Sequence, residues 1–563
     1  MYNTKVVNQT KNSTLEKLIL FVGPTASLVV SPWSNYDPIN PIKLFFVTIT
    51  AFGLLGLLLL SSGLILGRLK KLILFSSLLF CISMISTFIF SGAPKTQQIW
   101  GSFGRNTGVL TYFSLLVILL ATSIVQNKIF YEKILKYLIL TAIPMTLYCL
   151  IQVVKLDPIA WSEKYPFGTL GNINFSSAFF GLSSIAGVGF LLSKKISNIL
   201  KIGITFMVLL DLVIALSTGS IQGPMIFISA LSLLGFFIIR KKEKLQKLTI
   251  PYLLAIFIGI VFSILGLSNS GPFAKFLFAP SIVFRTDYWH AGWKMTLTHP
   301  FFGVGLDSYG DWYRQLRGSI STLRTGPERI ANTAHNIFLD ISSNGGIPLV
   351  LAFILINIVA LRSLIRVWKR SSQIDFVFIS IASLWFGYMV MAAISINQVG
   401  VGIWGWIFTG ALIGYEHIDN DQSQNQKVKK AKVGNRKRNV TDPTQSLAMY
   451  LFMIIGFVLA LIPLRADANF RSAMNSKDLL KVISASERLG ASAFHRELAL
   501  QNALQGGYAP QAREITLKLI EAYPRDYMGW KALYSLNSSS SEEKAKALKE
   551  MSKLDPFNPD NTK

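Results

Sequence analysis

The sequence predicts an all-α polytopic membrane protein with about 12–13 transmembrane helices, one large extracytoplasmic loop and a small C-terminal helical domain. Three observations carry that reading. Apolar residues make up 51% of the 563-residue chain and the mean hydropathy is +0.45, which excludes an ordinary soluble enzyme. Uncharged runs recur at close to the ~20 residues that cross a bilayer as helix. Only one connection between them, Ser268 to Ala334, is long and polar.

The first span, roughly Leu18 to Pro32, is short and holds Gly23 and Pro24; without a small-residue cleavage site it reads as a first helix and not a signal peptide. Leu44 to Gly67, Leu72 to Pro94, Asn106 to Asn127 and Tyr137 to Val154 follow as single spans, and Ile341 to Leu361 and Pro443 to Leu464 as later ones. Two runs are too long for one crossing. Ile202 to Ile239 is broken at Ser217 to Gly223 and Phe376 to Tyr415 at Asn397 to Gly400, where Gly and polar residues favour a turn.

Lysine and arginine set the orientation, because short basic loops stay cytoplasmic. Alternate connections carry the clusters Arg68 to Lys71, Lys128 to Lys136, Lys194-Lys195, Arg240 to Lys244, Arg362 to Arg370 and Lys427 to Arg438, while the opposite ones are nearly bare. That parity puts the 268–334 loop and the C-terminus outside the membrane. The net charge of +26 follows from these brief clusters; no long basic arm interleaved with aromatics exists, so nucleic acid is not an expected partner. The expected domains are a transmembrane domain at 1–416, a basic cytoplasmic linker at 417–445, a last span at 446–464 and an outer helical domain at 465–563. The linker reads as a solvated segment, with anionic lipid as the alternative contact. Cys81 and Cys149 lie inside apolar spans and suggest neither a disulfide framework nor a zinc site.

Beyond Leu464 the chain turns polar and helix-rich. Ala503 to Tyr523 and Ser541 to Leu554 are each followed by a proline signal, at Tyr523-Pro524 and Asp555-Pro556, in the manner of tetratricopeptide helix pairs with their ~34-residue period. A generic helical domain is the other reading, with the Ser538 to Ser541 run deforming one turn. Docking of a protein partner, or shaping of an acceptor path, is the expected role.

The long loop holds seven basic residues, Lys275, Arg285, Lys294, Arg314, Arg317, Arg324 and Arg329, against four acids, Asp287, Asp307, Asp311 and Glu328. Five are arginine, whose planar fork suits phosphate oxygens; pairing with the acids on a solvated face is the plainer use of any one of them. At the end of the loop, Asn332 or Thr333 is placed to cap a helix with His335 in its first turn and Gly345-Gly346 as its stop. A helix N-terminus favours an anion and keeps an imidazole neutral, able to accept a proton. The competing reading is a structural histidine at the membrane interface, as for His290 and His299. Asp340, about 140° round the helix, is not positioned to orient His335.

The ordered set Arg285-Thr286-Asp287-Tyr288-Trp289-His290, His299-Pro300-Phe301-Phe302-Gly303-Val304-Gly305, His335-Asn336 and Gly346 resembles the signature of the O-antigen ligase and O-antigen polymerase superfamily. Gly168-Thr169-Leu170-Gly171-Asn172-Ile173-Asn174-Phe175 and Ser217-Thr218-Gly219-Ser220 are similar to that family's elements at a middle helix head and a later turn. The resemblance covers roughly residues 165–410. It implies a metal-independent glycosyltransferase without cofactor that takes a glycan from undecaprenyl pyrophosphate at the outer face of a bacterial cytoplasmic (inner) membrane and joins it to a hydroxyl of lipid A core, another glycan or a protein. His335 would be its catalytic histidine and Arg285 the arginine that holds the pyrophosphate. Asn336, Arg314, Arg317, Arg324, Asn172, Asn174 and Gln222 are the accompanying substrate-binding candidates.

Two positions depart from the family pattern. Ile221 and Gln222 follow Ser220 where many ligases carry arginine, which leaves a second phosphate contact to Arg105, Arg314 or Arg324; and Leu349 stands at a position that is small or Thr/Tyr in ligases. Polymerase and protein O-oligosaccharyltransferase therefore stand beside ligase as alternatives. A transporter is the alternative of another class, resting on Asp211 as the one mid-membrane carboxylate; its plainer reading is a buried Asp paired across helices.

Overall fold

The computed structural model describes residues 4–60, 69, 71–161, 164–193, 196–278, 280–418 and 443–562. It is all-helical among these. The membrane part comprises α1 (Thr4–Leu28), α2 (Asn40–Leu60), α3 (Lys71–Phe90), the short α4 (Lys95–Trp100), α5 (Val109–Ser123), α6 (Lys128–Val153), α7 (Ile173–Ser193), α8 (Asn198–Ser217), α9 (Gln222–Lys241) and α10 (Thr249–Leu267). The loop then adds α11 (Pro280–Thr298), α12 (Tyr309–Leu316) and α13 (Ser319–Thr325), before α14 (Ile337–Arg370), α15 (Phe376–Ala392), α16 (Val399–Tyr415) and α17 (Pro443–Ser476). Five further helices complete the chain: α18 (Leu479–Ser486), α19 (Ala493–Gln505), α20 (Ala509–Ala522), α21 (Tyr527–Ser535) and α22 (Ser541–Leu554).

Nine helices among the described residues are long and apolar enough to cross a membrane, and α5, α15 and α16 are shorter apolar helices. Both expected hairpins turn where the sequence breaks, between Ser217 and Gln222 and between Ala392 and Val399. The bundle has two chemically distinct ends. At one, Lys128 pairs with Asp375 at 2.6 Å and Arg366 with Glu416 at 3.0 Å, and Lys241 donates to the Ser371 carbonyl. The other end carries the 268–334 loop and the C-terminal helices. The predicted 417–445 linker lies almost wholly outside the described residues, as do Arg68, Lys70, Lys194 and Lys195.

Asp211 shows what a mid-membrane carboxylate does in this bundle. It accepts hydrogen bonds from Thr146 Oγ1 at 2.6 Å and Ser183 Oγ at 2.7 Å, so it ties α6, α7 and α8 together, and the observation behind a transporter reading has a structural explanation. By contrast α10 packs almost alone, with only Gly266 of its residues buried.

The last span does not end at Leu464. As α17 it continues without interruption to Ser476, carrying the C-terminal helices out from the bundle as an extension of itself. Asp467 on this extension accepts from the backbone N–H of Tyr36 at 2.7 Å and of Asp37 at 3.1 Å, and from His495 Nε2 at 3.1 Å, which clamps the α1–α2 turn and α19 to one carboxylate. The helix pairs α19/α20 and α21/α22 begin 34 residues apart, at Ala493 and Tyr527. The serine run forms a cap: Ser540 Oγ accepts from Glu543 N while the Glu543 carboxylate reaches back to Ser540 N.

Candidate active site

The loop folds into a small layer with a core of its own. Ala291, Met295, Val304, Tyr309, Tyr313, Ala331 and Ala334 are buried together, with Tyr288 and Trp312 against them. This layer is keyed into α14. Gly346 breaks that helix with φ 79° and ψ 175°, and the turns of the His299–Gly305 motif fill the break: Ile347 N donates to the Pro300 carbonyl at 2.7 Å, Val304 N to the Ser343 carbonyl at 2.9 Å and Gly305 N to the Asn344 carbonyl at 3.0 Å. A Cβ on Gly303 would lie 2.3 Å from the Asn344 carbonyl carbon and one on Gly346 2.5 Å from the Phe301 oxygen, so glycine is required at both. Leu349, the departure noted in the sequence, is buried against Gly345. Gly345-Gly346 is thus a break within a longer helix and not its end.

This lock fixes the segment that carries His335. The predicted cap is displaced: Asn336, not Asn332 or Thr333, caps α14, its Oδ1 accepting from Leu339 N at 3.0 Å and its Nδ2 donating to the Ala393 carbonyl at 2.9 Å. His335 therefore precedes the cap and stands outside the first turn. It takes φ 51°, left-handed backbone that costs a non-glycine residue ~1–2 kcal/mol. Its N–H is held by Thr333 Oγ1 at 3.1 Å, and the preceding N–H of Ala334 by Asp340 Oδ1 at 3.2 Å. The reading of Asp340 needs the same refinement. It does not touch the imidazole, yet it pins the backbone beside it. Strained backbone held this firmly is a feature of functional sites.

The imidazole stacks on Tyr288, with ring centroids 5.2 Å apart and an interplanar angle of 30°. Tyr288 is one turn beyond Arg285 on α11, so both project from one face of that helix. His335 is pushed down to about 4 by burial first and then by the charges of Arg285 and Arg105, so the ring is neutral near neutral pH. Arg285 is half-buried and has no carboxylate within ion-pair distance among the described residues; burial pulls its guanidinium below the usual range.

The other arginines divide sharply. Arg105 is buried between Asp307 at 3.1 Å and Asp340 at 3.0 Å and also donates to the Asn332 carbonyl. Arg324 pairs with Asp287 at 2.7 Å. Arg314 and Arg317 converge on Asp555 of the C-terminal domain, at 3.2 and 2.7 Å, and Arg317 and Asp555 are fully buried. Their donors serve docking of that domain, and the geometry gives them no part in a phosphate site. Of the five loop arginines only Arg285 and Arg329 have no acidic partner among the described residues. Arg329, which belongs to none of the sequence motifs, lies near enough to Tyr288 for its charge to act on the phenol and sits over the Phe284 ring at 5.8 Å. Sequence gave no sign of this beyond its being one arginine of five.

The remaining candidates form a separate group. Asn174 Oδ1 accepts from Ser220 Oγ at 2.7 Å, Asn172 Oδ1 from Asn174 N at 2.8 Å, and Gln222 is buried at the start of α9 with its N–H 3.3 Å from Ser220 Oγ. The head of α7 and the α8–α9 turn thus meet. Within the described residues no hydrogen bond joins this group to His335.

A multi-pass helical membrane protein whose loop presents a neutral histidine beside an uncommitted arginine is the class that fold and geometry define. Residues 204–354, which include Arg285, the His299–Gly305 motif and His335, match the family model described as O-Antigen ligase, so this segment of the chain is similar to that family. Asn172 and Asn174 lie outside the matched segment. No curated protein matches the chain.

Proposed function

We propose that the protein transfers a glycan from undecaprenyl pyrophosphate to an acceptor hydroxyl at the outer face of a bacterial cytoplasmic membrane, without a metal ion. The observation that carries this reading is the pairing of a neutral His335 with the uncommitted guanidinium of Arg285 across one tyrosine ring. Arg285, with Arg329 as a second fork in place of the arginine missing after Ser220, neutralises the departing pyrophosphate. His335 takes the acceptor proton as the hydroxyl attacks the anomeric carbon, a step that needs the imidazole unprotonated beforehand. Asn336 holds the histidine segment in place. Asn172, Asn174 and Gln222 line a second polar cluster that is assigned to the same outer face by charge parity.

Domain roles follow the same reading. Residues 1–416 form the glycosyltransferase domain, and 465–563 an extracytoplasmic domain of two tetratricopeptide-like helix pairs that receives an acceptor or a protein partner. Ligase is preferred to polymerase and to protein O-oligosaccharyltransferase because the order Arg285, His299-Pro300, His335-Asn336 is ligase-like. A deletion strain tests the choice. Loss of ligation leaves long glycans on the lipid carrier and unmodified acceptor; acceptor carrying one repeat unit would instead establish a polymerase.

A further inference from the structure

The C-terminal domain does not simply rest on the loop. Between them lies a cavity of about 370 Å³, within the size range of small-ligand sites, walled by Ser102, Asp311 and Asn332 on one side and by Phe494, Glu497 and Met528 on the other. Its aromatic wall is the pair Phe103 and Phe494, stacked with centroids 4.1 Å apart. Its polar groups are underused. Among the described residues Ser102 Oγ is enclosed without a hydrogen-bond partner, Asp311 accepts from Gln97 Nε2 at 2.8 Å, and Glu497 shares a hydrogen bond with the Asp526 carboxyl. Burial holds Asp311 up at about 7 and Glu497 far above the ordinary carboxylate range, so both are poorly hydrated and the Glu497 carboxyl is uncharged near neutral pH.

The cavity and the Arg285 side of the loop differ in charge, and the 329–335 segment separates them. Arg285 and Arg329 flank Tyr288 on one side, while the cavity is lined by Asp307, Asp311, Glu497 and Asp526 together with Arg314 and Arg525, whose guanidiniums are already engaged, Arg314 by Asp555 and Arg525 by Gln315 and the Asp311 carbonyl. Arg105 spans the divide: it donates to the Asn332 carbonyl at the cavity wall and its charge acts on His335. A pyrophosphate is drawn to the uncommitted guanidiniums of the Arg285 side, whereas the cavity offers it largely uncharged carboxyls and arginines that already have partners.

We infer that this interdomain cavity is the acceptor subsite, and that it takes the end of an uncharged, hydroxyl-rich glycan. Carboxyls and a serine hydroxyl exchange hydrogen bonds with sugar hydroxyls, the aromatic pair offers an apolar face to a sugar ring, and a phosphorylated acceptor is disfavoured. The inference rests on the glycosyl-transfer reading for the word acceptor, but binding is measurable without turnover.

The test uses the full chain in lipid nanodiscs and saturation-transfer NMR with a panel of neutral oligosaccharides, the same sugars phosphorylated, and oligolysine. Neutral sugars bind, the phosphorylated forms do not, Glu497→Ala weakens binding about tenfold, the loss of one hydrogen bond to a carboxyl group, and Met528→Trp fills the cavity and removes it. Binding untouched by both variants, or saturation by oligolysine with no neutral sugar bound, overturns the inference. Sugar binding in a protein that transfers nothing leaves the cavity standing and removes the catalytic reading; transfer with acceptor KM unchanged in both variants does the reverse.

Discussion

Asp555→Asn should release the C-terminal domain from the loop. The Asp555 carboxylate is fully buried and accepts from Arg317 at 2.7 and 2.8 Å and from Arg314 at 3.2 Å, with Asn558 completing its shell at 3.2 Å. Arg317 is also fully buried, so the amide leaves its guanidinium without a counter-charge where water cannot replace it, and leaves Arg314 only the more distant Glu328 at 3.8 Å. Removing one partner of such a buried pair costs about 3–5 kcal/mol, which shifts the docking equilibrium roughly 10²- to 10³-fold. The exposed pair Lys531–Glu328 at 2.9 Å is worth at most ~1 kcal/mol and does not compensate. Arg525, stacked 3.3 Å from the Trp312 ring centre, remains as the main residual contact. Hydrogen exchange is the assay: amides of α12, α13 and α22 should lose protection while those of α17, continuous with the membrane bundle, should not. Unchanged protection in all three would refute the staple. Replacing the triad by apolar residues, Arg314→Met, Arg317→Met and Asp555→Leu together, should restore much of the docking, because the charges and their burial cost vanish as a set.

Further outcomes follow from the same geometry. Because burial and neighbouring positive charge hold His335 down at about 4, kcat/KM should stay flat as pH falls below neutrality and drop only near that value; an acidic limb at the ordinary 6.5 counts against it. Arg285→Gln removes one of the charges that lower the imidazole, so its residual activity should show the limb displaced to higher pH. Arg285→Lys should be severely impaired in transfer, since an ammonium does not reproduce the bidentate fork, and equal activity would reduce Arg285 to an electrostatic attractor. Gly346→Ala sets a side chain at φ 79° and 2.5 Å from the Phe301 carbonyl, and should lower both thermal stability and transfer by loosening the loop from α14. Cysteines at Ser319 and Ser541 should react with an impermeant thiol reagent in intact cells and one at Ser372 should not; the opposite pattern inverts the topology.

Membrane architecture was readable from sequence because it depends on composition and spacing. The hairpin turns at Ser217–Gly223 and Asn397–Gly400 came out where glycine and polar residues interrupt apolar runs, and the extramembrane loop was marked by its charge. What sequence could not supply was pairing between distant residues. Arg314 and Arg317 look like any loop arginines until Asp555, more than two hundred positions on, is seen between them. Arg285 is marked by its motif, but nothing local distinguishes Arg329 from its neighbours, because being unpaired is a property of the assembled layer. His335 was placed one turn too far into its helix for a related reason. Asn332, Thr333 and Asn336 are all good caps by type, and the choice among them falls to Asp340 and Ala393, which fix the backbone from outside the segment. The glycines of the His299–Gly305 motif were legible as a family mark, but their cause is the insertion into the break at Gly346.

The most direct test of His335 and Arg285 as the transfer centre is single-turnover transfer by the purified full chain in nanodiscs, with undecaprenyl-pyrophosphate-linked glycan as donor. Wild type should transfer, and His335→Ala should bind donor with unchanged affinity while losing about 10²- to 10⁴-fold in the transfer rate, the usual contribution of a general base. Transfer by His335→Ala at the wild-type rate would contradict the account.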